Sequence, residues 1–457
     1  MTLARQSRPN VGWQDKLRHP LVDSGAPPPP PSYVRNFDSP AFSWMIRPNQ
    51  KIQLQGPESM LEGIKVIEMA TYIAAPGAGG ILADWGAEVI KIEPLSGCPM
   101  RYTMKNVGAD HLKGSPIFDL DNRGKKGLAI DTSKPEGVEA VKRLVKDADV
   151  FITNVRPGGL ERAGLDYESL KAINPRLVYA SVTGYGLEGP DRDRPGFDIA
   201  AFYARSGVGW LQTVKGKEPV TLRTGIGDHT TSMATVSGIL AALVERQKTG
   251  TGRLVEASLL RAGIYAAGSD TAVQLRYGKL GSTKSRHEAL MPISNFFQTK
   301  DTWIVIVPRQ GTVDWTAVCR AIGKPEMETD PRFDTPKNRR ANAAELVDIL
   351  DAAFIQHDVE YWREKLDAED IIWAPLMRPA DVFADPQAHA AGAYVKVPEE
   401  DGSGTYLSPA SPVRFPGYDD TPKSASPALG QHTIEALKEA GFADEEIETL
   451  RTAGAIR

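Results

Sequence analysis

Asp228 and His229 stand side by side in the stretch TGIGDHTTSM (224–233), behind two glycines and ahead of a helical run. An aspartate so placed has four roles open to it: helix cap, half of an Asp–His pair, metal ligand or nucleophile. Asp198, in RPGFDIAAF, shares the setting of a glycine-containing turn before an apolar helical stretch. Both are expected to cap helices, because a side-chain oxygen at that position accepts hydrogen bonds from first-turn NH groups. Capping leaves room for attack: the helix dipole favours the ionised carboxylate, and an ionised carboxylate is a nucleophile. His229 could orient Asp228, although neighbours at a helix start usually point different ways.

Other chemistries find less support. The seven histidines show no H-x-x-x-H spacing and no carboxylate cluster, so no metal site is expected. Cys98 and Cys319 lie far apart without a CxxC partner, which disfavours a disulfide framework or a thiolate zinc site and fits a reducing cytosol. No G-x-S-x-G elbow occurs. The segment ATYIAAPGAGG carries its glycines too late for a dinucleotide fingerprint, and PGAGGILA lacks the Lys-Ser/Thr of a P-loop.

The elements that must position these residues alternate. The strand GIKVIEMA is followed by GAGGILADWGA, a helix opened by Pro76 and glycines, and by the strand EVIKIE. The pattern recurs through KGLAIDT, PEGVEAVKRLVKDA, DVFITN and LVYASVTGYG. Such alternation predicts an α/β fold with a Rossmann-like, doubly wound parallel sheet. Ligands of such sheets bind at the carboxyl ends of the strands, which here run into ATYIAAPG, IDTSKPEG, TNVRPGG and SVTGYGLEGP. Backbone NH groups in those loops could hold phosphates, and Arg156 and Arg162 suit a diphosphate or 3′-phosphate.

Four regions are expected: a proline-rich extension (1–58) containing APPPPPSY, the first part of a large domain (59–264), a smaller α+β domain (265–400) and a C-terminal segment (401–457). Of 457 residues, 41 % are hydrophobic and 25 % charged, the composition of a folded enzyme-sized protein. A net charge of −4 provides no basic field for nucleic acid or anionic lipid. The N-terminal stretch has no apolar h-region, and no run approaches 18 apolar residues, so the expectation is a cytoplasmic protein without membrane association.

In sequence order, LEGIKVIEMATYIAAPGAGGILADWGAEVIKIEP, DVFITNVRPGGLERAGLDYESL, NPRLVYASVTGYGLEGPDRDRPGFD and GDHTTSMATVSGILAALVERQKTGTGRLVEASL resemble the class III (CaiB/BaiF) CoA-transferase family. The likeness runs from about 61 to 450. PGFD, AFYARSG and GIGDH bring it nearest to the hydroxyacyl and arylacyl types. The resemblance implies a homodimer of two chains interlocked like linked rings, with the C-terminal segment returning to the large domain. It implies coenzyme A, entering as acyl-CoA, and no metal. CoA would bind at Ile73, Ala74, Asp131, Thr132, Asn154, Val155, Arg156, Arg162, Thr183 and Gly184. The implied activity carries CoA from an acyl-CoA to a carboxylic acid through an aspartyl anhydride and an aspartyl-CoA thioester. Asp228 would be the nucleophile, with Asp198 as second candidate and His229 in an orienting role.

Two alternatives stand beside this reading. Racemases of the family move the α-proton with a histidine in a Gly-His-Asp motif, which matches GFD here; Phe197 cannot transfer a proton, and this speaks against racemisation. The other alternative is a non-catalytic acyl-CoA-binding protein.

Overall fold

Short apolar runs such as Val66–Met69 and Val150–Thr153, buried along nearly their whole length, suit strands covered on both faces. In the computed structural model, which describes residues 59–457 except 110, 112, 113, 310–312 and 420, they belong to one parallel sheet of six strands. The six are β1 (Lys65–Met69), β2 (Glu88–Glu93), β3 (Lys126–Ala129), β4 (Val150–Thr153), β5 (Val178–Thr183) and β6 (Leu254–Ser258), in the order β3-β2-β1-β4-β5-β6. This is the expected doubly wound arrangement. The strand order reverses between β1 and β4, where sheets of this kind open a ligand crevice. Ile67 is in register with Ile90 on one side and Phe151 on the other. The expected proline-rich extension lies outside the described residues.

Alternation along the strands builds two cores. Val66, Val89, Val150, Ile152 and Val178 pack in one cluster with the helices Ala74–Asp84 and Ile226–Thr249. Ile67, Ile90, Phe151 and Tyr179 pack in the other, with the helix Pro135–Val145 and the C-terminal helices Thr433–Glu439 and Asp444–Thr452. Each such buried side chain contributes about 1.5–3 kcal/mol. Beyond the end of β3, Ile130 forms an antiparallel bridge with Ile456.

A third cluster, with Phe297, Ile304, Trp315, Phe333 and Phe354, gathers on the antiparallel strands β7 (Asn295–Gln298), β8 (Trp303–Ile306) and β9 (Trp373–Pro375). The hairpin β10 (Tyr394–Pro398) and β11 (Thr405–Pro409), which flanks the expected boundary at 400, is tied to the body from its second strand onward. Arg123 Nη1 donates to Ser408 Oγ at 2.8 Å and Trp85 Nε1 to Ser411 Oγ at 3.2 Å. Among the described residues no helix is long and apolar enough to cross a membrane.

One local expectation changes. The helix Ala74–Asp84 begins two residues before Pro76, so Gly77, Gly79 and Gly80 lie inside it instead of opening it. Glycine inside a helix costs about 1 kcal/mol each relative to alanine. Close approach explains the choice: a Cβ on Gly77 would sit 2.6 Å from Ser232 Oγ, and one on Gly79 would sit 2.1 Å from Glu68 Oε2. The glycines therefore serve packing of polar groups against the helix.

Candidate active site

The long helix Ile226–Thr249 starts after Gly225, whose φ of 96° takes the cap position. Asp228 is thus the third residue of the first turn, and the expectation that it caps the helix is corrected: a left-handed turn at this point suits glycine. The amide at the cap is satisfied from another segment. Asp198 Oδ2 accepts from Gly225 N at 2.7 Å, and Asp198 Oδ1 accepts from Ile199 N at 2.8 Å. Asp198 does not cap its own helix either: Phe197 takes the cap position, and Asp198, 3 % exposed, is the first residue of the π-helical turn Asp198–Ala204. Both of its oxygens are engaged.

Asp228 has the opposite character. Among the described residues its carboxylate has no hydrogen-bond or ion-pair partner. Burial, and then the charge of Asp198, push its carboxyl up from 3.8 to about 7. His229, the next residue, turns away from it to a different carboxylate: Nε2 lies 3.0 Å from Asp121 Oδ1. Asp121 belongs to the helix Pro116–Asn122 and is 3 % exposed. Its second oxygen, Oδ2, is buried without a partner.

The hydrogen bond to Asp121 raises the His229 pKa, with further help from Asp121, Asp228 and Asp198 charges, while burial raises that of Asp121. The two groups compete for one proton. It belongs on the imidazole, whose side chain is 41 % exposed and can be hydrated. The Asp121 anion, in turn, has the Lys125 charge nearby.

Behind Asp121 lies a fully buried ion cluster. Glu68 accepts from Lys91 Nζ at 2.7 Å and from Lys125 Nζ at 2.6 Å. The lysines also donate to backbone oxygens, Lys91 to Ala70 at 3.0 Å and Lys125 to Pro76 at 2.8 Å. The two ammonium groups hold the Glu68 carboxyl below its ordinary range despite burial.

The sheet gathers most of the loop residues expected to bind CoA at one end. Ile73 precedes the glycine helix and Ala74 begins it. Asn154 clamps the ends of β1 and β4 together, its Oδ1 accepting from Thr71 N at 3.1 Å and its Nδ2 donating to Thr71 O at 2.7 Å. Tyr72, next in the chain, has a φ of 63°, which a non-glycine residue seldom adopts. Val155, Arg156 and Arg162 are exposed, and neither arginine has a polar partner among the described residues. Thr183 Oγ1 accepts from Gly186 N at 2.8 Å, and a Cβ on Gly184 would lie 2.9 Å from Gly196 Cα. Asp131 and Thr132 follow the edge strand β3, two strands from the crevice, with Asp131 Oδ1 accepting from Ser133 N at 3.0 Å.

Residues 61–433 match CoA-transferase family III. The chain belongs to this family. It is 34 % identical over 402 residues to the (R)-2-hydroxy-4-methylpentanoate CoA-transferase of Clostridioides difficile, covering 87 % of this chain and 100 % of the relative. It is 34 % identical over 401 residues to the cinnamoyl-CoA:phenyllactate CoA-transferase of Clostridium sporogenes, covering 87 % of this chain and 97 % of the relative. A CaiB/BaiF family protein from Brucella suis superposes with a TM-score of 0.74 at 31 % identity, over 84 % of this chain and 99 % of that one. The chain is accordingly an enzyme, a CoA-transferase, as its motifs led one to expect.

Two cavities of this CoA-transferase meet at His229. The larger, about 560 Å³, is lined by Ile73, Ile117, Leu120, Gly225, His229 and Tyr406, among others. The smaller, about 220 Å³, reaches Gly77, Asp121, Leu120, His229 and Met233. Asp121 had escaped the sequence reading. In SPIFDLDN two aspartates alternate on a short helix, and nothing local separates Asp121 from Asp119; its partner lies 108 residues away. Phe197, the residue that spoke against racemisation, stands edge-on to Tyr72 with ring centroids 5.1 Å apart. Among the described residues no group of three or more His, Cys, Asp or Glu is placed to hold a metal ion.

Proposed function

We propose that this CoA-transferase works through Asp228 as covalent nucleophile. The observation that carries the reading is the contrast between the two aspartates: Asp228 is half-buried and its carboxylate has no hydrogen-bond partner among the described residues, whereas Asp198 has both oxygens engaged. A poorly solvated carboxylate is the stronger nucleophile once ionised. Its oxygen attacks the thioester carbon of acyl-CoA, the C–S bond breaks, and a mixed anhydride and CoA thiolate result. The thiolate attacks the aspartyl carbonyl, releasing the first acid and leaving an aspartyl-CoA thioester. The acceptor carboxylate attacks that thioester, expelling CoA thiolate and forming a second mixed anhydride, and the thiolate attacks the acceptor carbonyl of this anhydride to give the new acyl-CoA and release the Asp228 carboxylate. Asp198 then serves to hold the start of the long helix in place.

In this reading CoA runs along the strand ends, over Ile73, Ala74, Asn154, Val155, Thr183 and Gly184, with Asp131 and Thr132 at its outer edge. Arg156 and Arg162, exposed and unpaired, suit its phosphates. No metal takes part. Residues 59–264 with 401–457 make the CoA-binding body and 265–400 a smaller domain. The enzyme acts in the cytoplasm as a homodimer. The helix Gly268–Tyr277 supports the last point: it buries none of its residues and leaves Leu275 and Tyr277 exposed near Tyr265 in the chain, an apolar surface of the kind a second chain covers. The names of the two bacterial relatives favour a hydroxylated or aryl-bearing monocarboxylic acid as substrate.

Acyl-CoA with hydroxylamine tests the nucleophile. The expected product is a hydroxamate on the peptide carrying Asp228, detected by mass spectrometry and missing from Asp228→Asn. Turnover with neither Asp228 nor Asp198 modified would refute covalent aspartyl catalysis. Rapid α-deuterium exchange in D₂O without an acceptor acid would point to proton transfer instead.

A further inference from the structure

The mechanism leaves the free acid without a docking point. Its carboxylate must come close to Asp228 and Asp198 and to the buried Asp121, three groups of its own sign. Lys125 and Lys91 are fully buried and committed to Glu68, so they offer it nothing. His229 differs. It lies next to Asp228, is partly exposed, and lines both cavities.

The two ring nitrogens of His229 have separate surroundings. Nε2 is taken by Asp121 Oδ1 at 3.0 Å. Nδ1 has no partner among the described residues and turns toward Gly225 at the wall of the larger cavity: a Cβ placed on Gly225 would lie 3.7 Å from it. With Nε2–H directed at Asp121, a neutral ring would present a lone pair at Nδ1, which repels a carboxylate. A protonated ring presents Nδ1–H, a charge-assisted donor.

We infer that the Asp121–His229 pair anchors the carboxylate of the free acid, with Nδ1–H of His229 as donor and the acid's side chain in the larger cavity. Asp121 is then a positioning residue that acts through His229. The inference rests on Asp228 as the nucleophile, since that is the atom the anchored carboxylate must reach. The charged groups that face His229 are Asp228 on its own helix, Asp198 from the π-helical turn and Asp121 from the helix Pro116–Asn122, with Lys125 and Glu68 behind Asp121. Asp119, Glu399 and Glu400 line the same cavity. All the nearer groups are anionic and favour the imidazolium.

Steady-state kinetics of the full-length enzyme, varying the acid at saturating acyl-CoA across pH, provides the test. His229→Gln should raise KM for the acid about 10- to 100-fold, the loss expected for one charge-assisted hydrogen bond, and should leave hydroxamate formation at Asp228 in place. Asp121→Asn keeps an acceptor for Nε2–H but removes the charge. It should move the alkaline fall of kcat/KM for the acid to lower pH by about one unit or more, a change that a purely structural role would not produce. An unchanged acid KM in His229→Gln together with an unmoved alkaline limb in Asp121→Asn would overturn the inference. If Asp121→Asn does not fold, the acid KM of His229→Gln decides alone. An Asp228 that never forms a hydroxamate in the wild type would overturn the nucleophile assignment instead, and the acid KM would still report on the anchor.

Discussion

Glu68, fully buried, and Asp228, half-buried, are two carboxylates beside the same glycine helix, and they meet opposite fates. Glu68, against Gly79, accepts one hydrogen bond from each of two lysines, whose ammonium groups make three more to neighbouring oxygens, and is held ionised. Asp228, one turn before the Ser232 that donates to Ala74 O at 2.7 Å, receives none and is pushed up to about 7. Burial raises the energy of an anion in both places; only partnership offsets it. A structural carboxylate is saturated with donors, and a reactive one is left short of them.

Asp228→Asn breaks the comparison at its reactive end. Activity should fall at least about 10³-fold, as for a lost covalent nucleophile, while the protein becomes more stable. The sign follows from the titration: a carboxyl near 7 in the folded state and 3.8 in the unfolded state favours the folded protein least once pH has risen through 7. Wild type and variant should therefore melt alike near pH 4 and diverge toward pH 8, by on the order of 2–4 kcal/mol in favour of the variant. On the wild type, kcat/KM for acyl-CoA should drop about tenfold per pH unit below 7. Equal melting at pH 8, or a flat rate profile from pH 5 to 8, would show that Asp228 is not short of donors.

Glu68→Gln attacks the structural end. It strands Lys91 and Lys125 where neither is exposed to solvent, and loss of one partner of such a buried pair costs about 3–5 kcal/mol. Urea denaturation should read that loss. Any activity that survives should keep the wild-type acidic limb, because Glu68 does not set the Asp228 titration. A loss under 1 kcal/mol would mean that the cluster contributes little to stability.

How much of this was legible in the sequence follows from what is local. Five strands of the sheet could be read because each carries its own apolar run, whereas the edge strand β6, LVEAS, is only partly buried and carries no such run; GIGDH drew attention to Asp228 and His229 without any structure. The state of Asp228 could not be read: it depends on Asp198, thirty residues earlier, taking up the Gly225 amide. Asp121 was invisible, since a short helix with two aspartates gives no sign of which one faces a histidine across the fold. PGAGG read as the opening of a helix because glycine ordinarily marks turns; its true reason, the nearness of Glu68 and Ser232, exists only once the helix is packed.

That nearness yields the finest division between the two carboxylates. Alanine at either glycine gains about 1 kcal/mol of helix propensity, so the net effect measures what the new methyl group displaces. At Gly79 the methyl would meet Glu68 Oε2 at 2.1 Å, and the carboxylate cannot retreat without leaving its lysines. Gly79→Ala should lose about 1–3 kcal/mol after that gain. At Gly77 the nearest atom is a hydroxyl oxygen, Ser232 Oγ at 2.6 Å. It can rotate away at the cost of its bonds to Ala74 O and Asp228 O, so Gly77→Ala should lose no more than about 1 kcal/mol after the gain in propensity. The displaced serine lies one turn below Asp228, and the effect of Gly77→Ala should show in kcat more than in the melting temperature. Equal losses of stability at the two positions would mean that both sides of the helix are packed equally rigidly, and that Asp228 differs from Glu68 only in its missing donors.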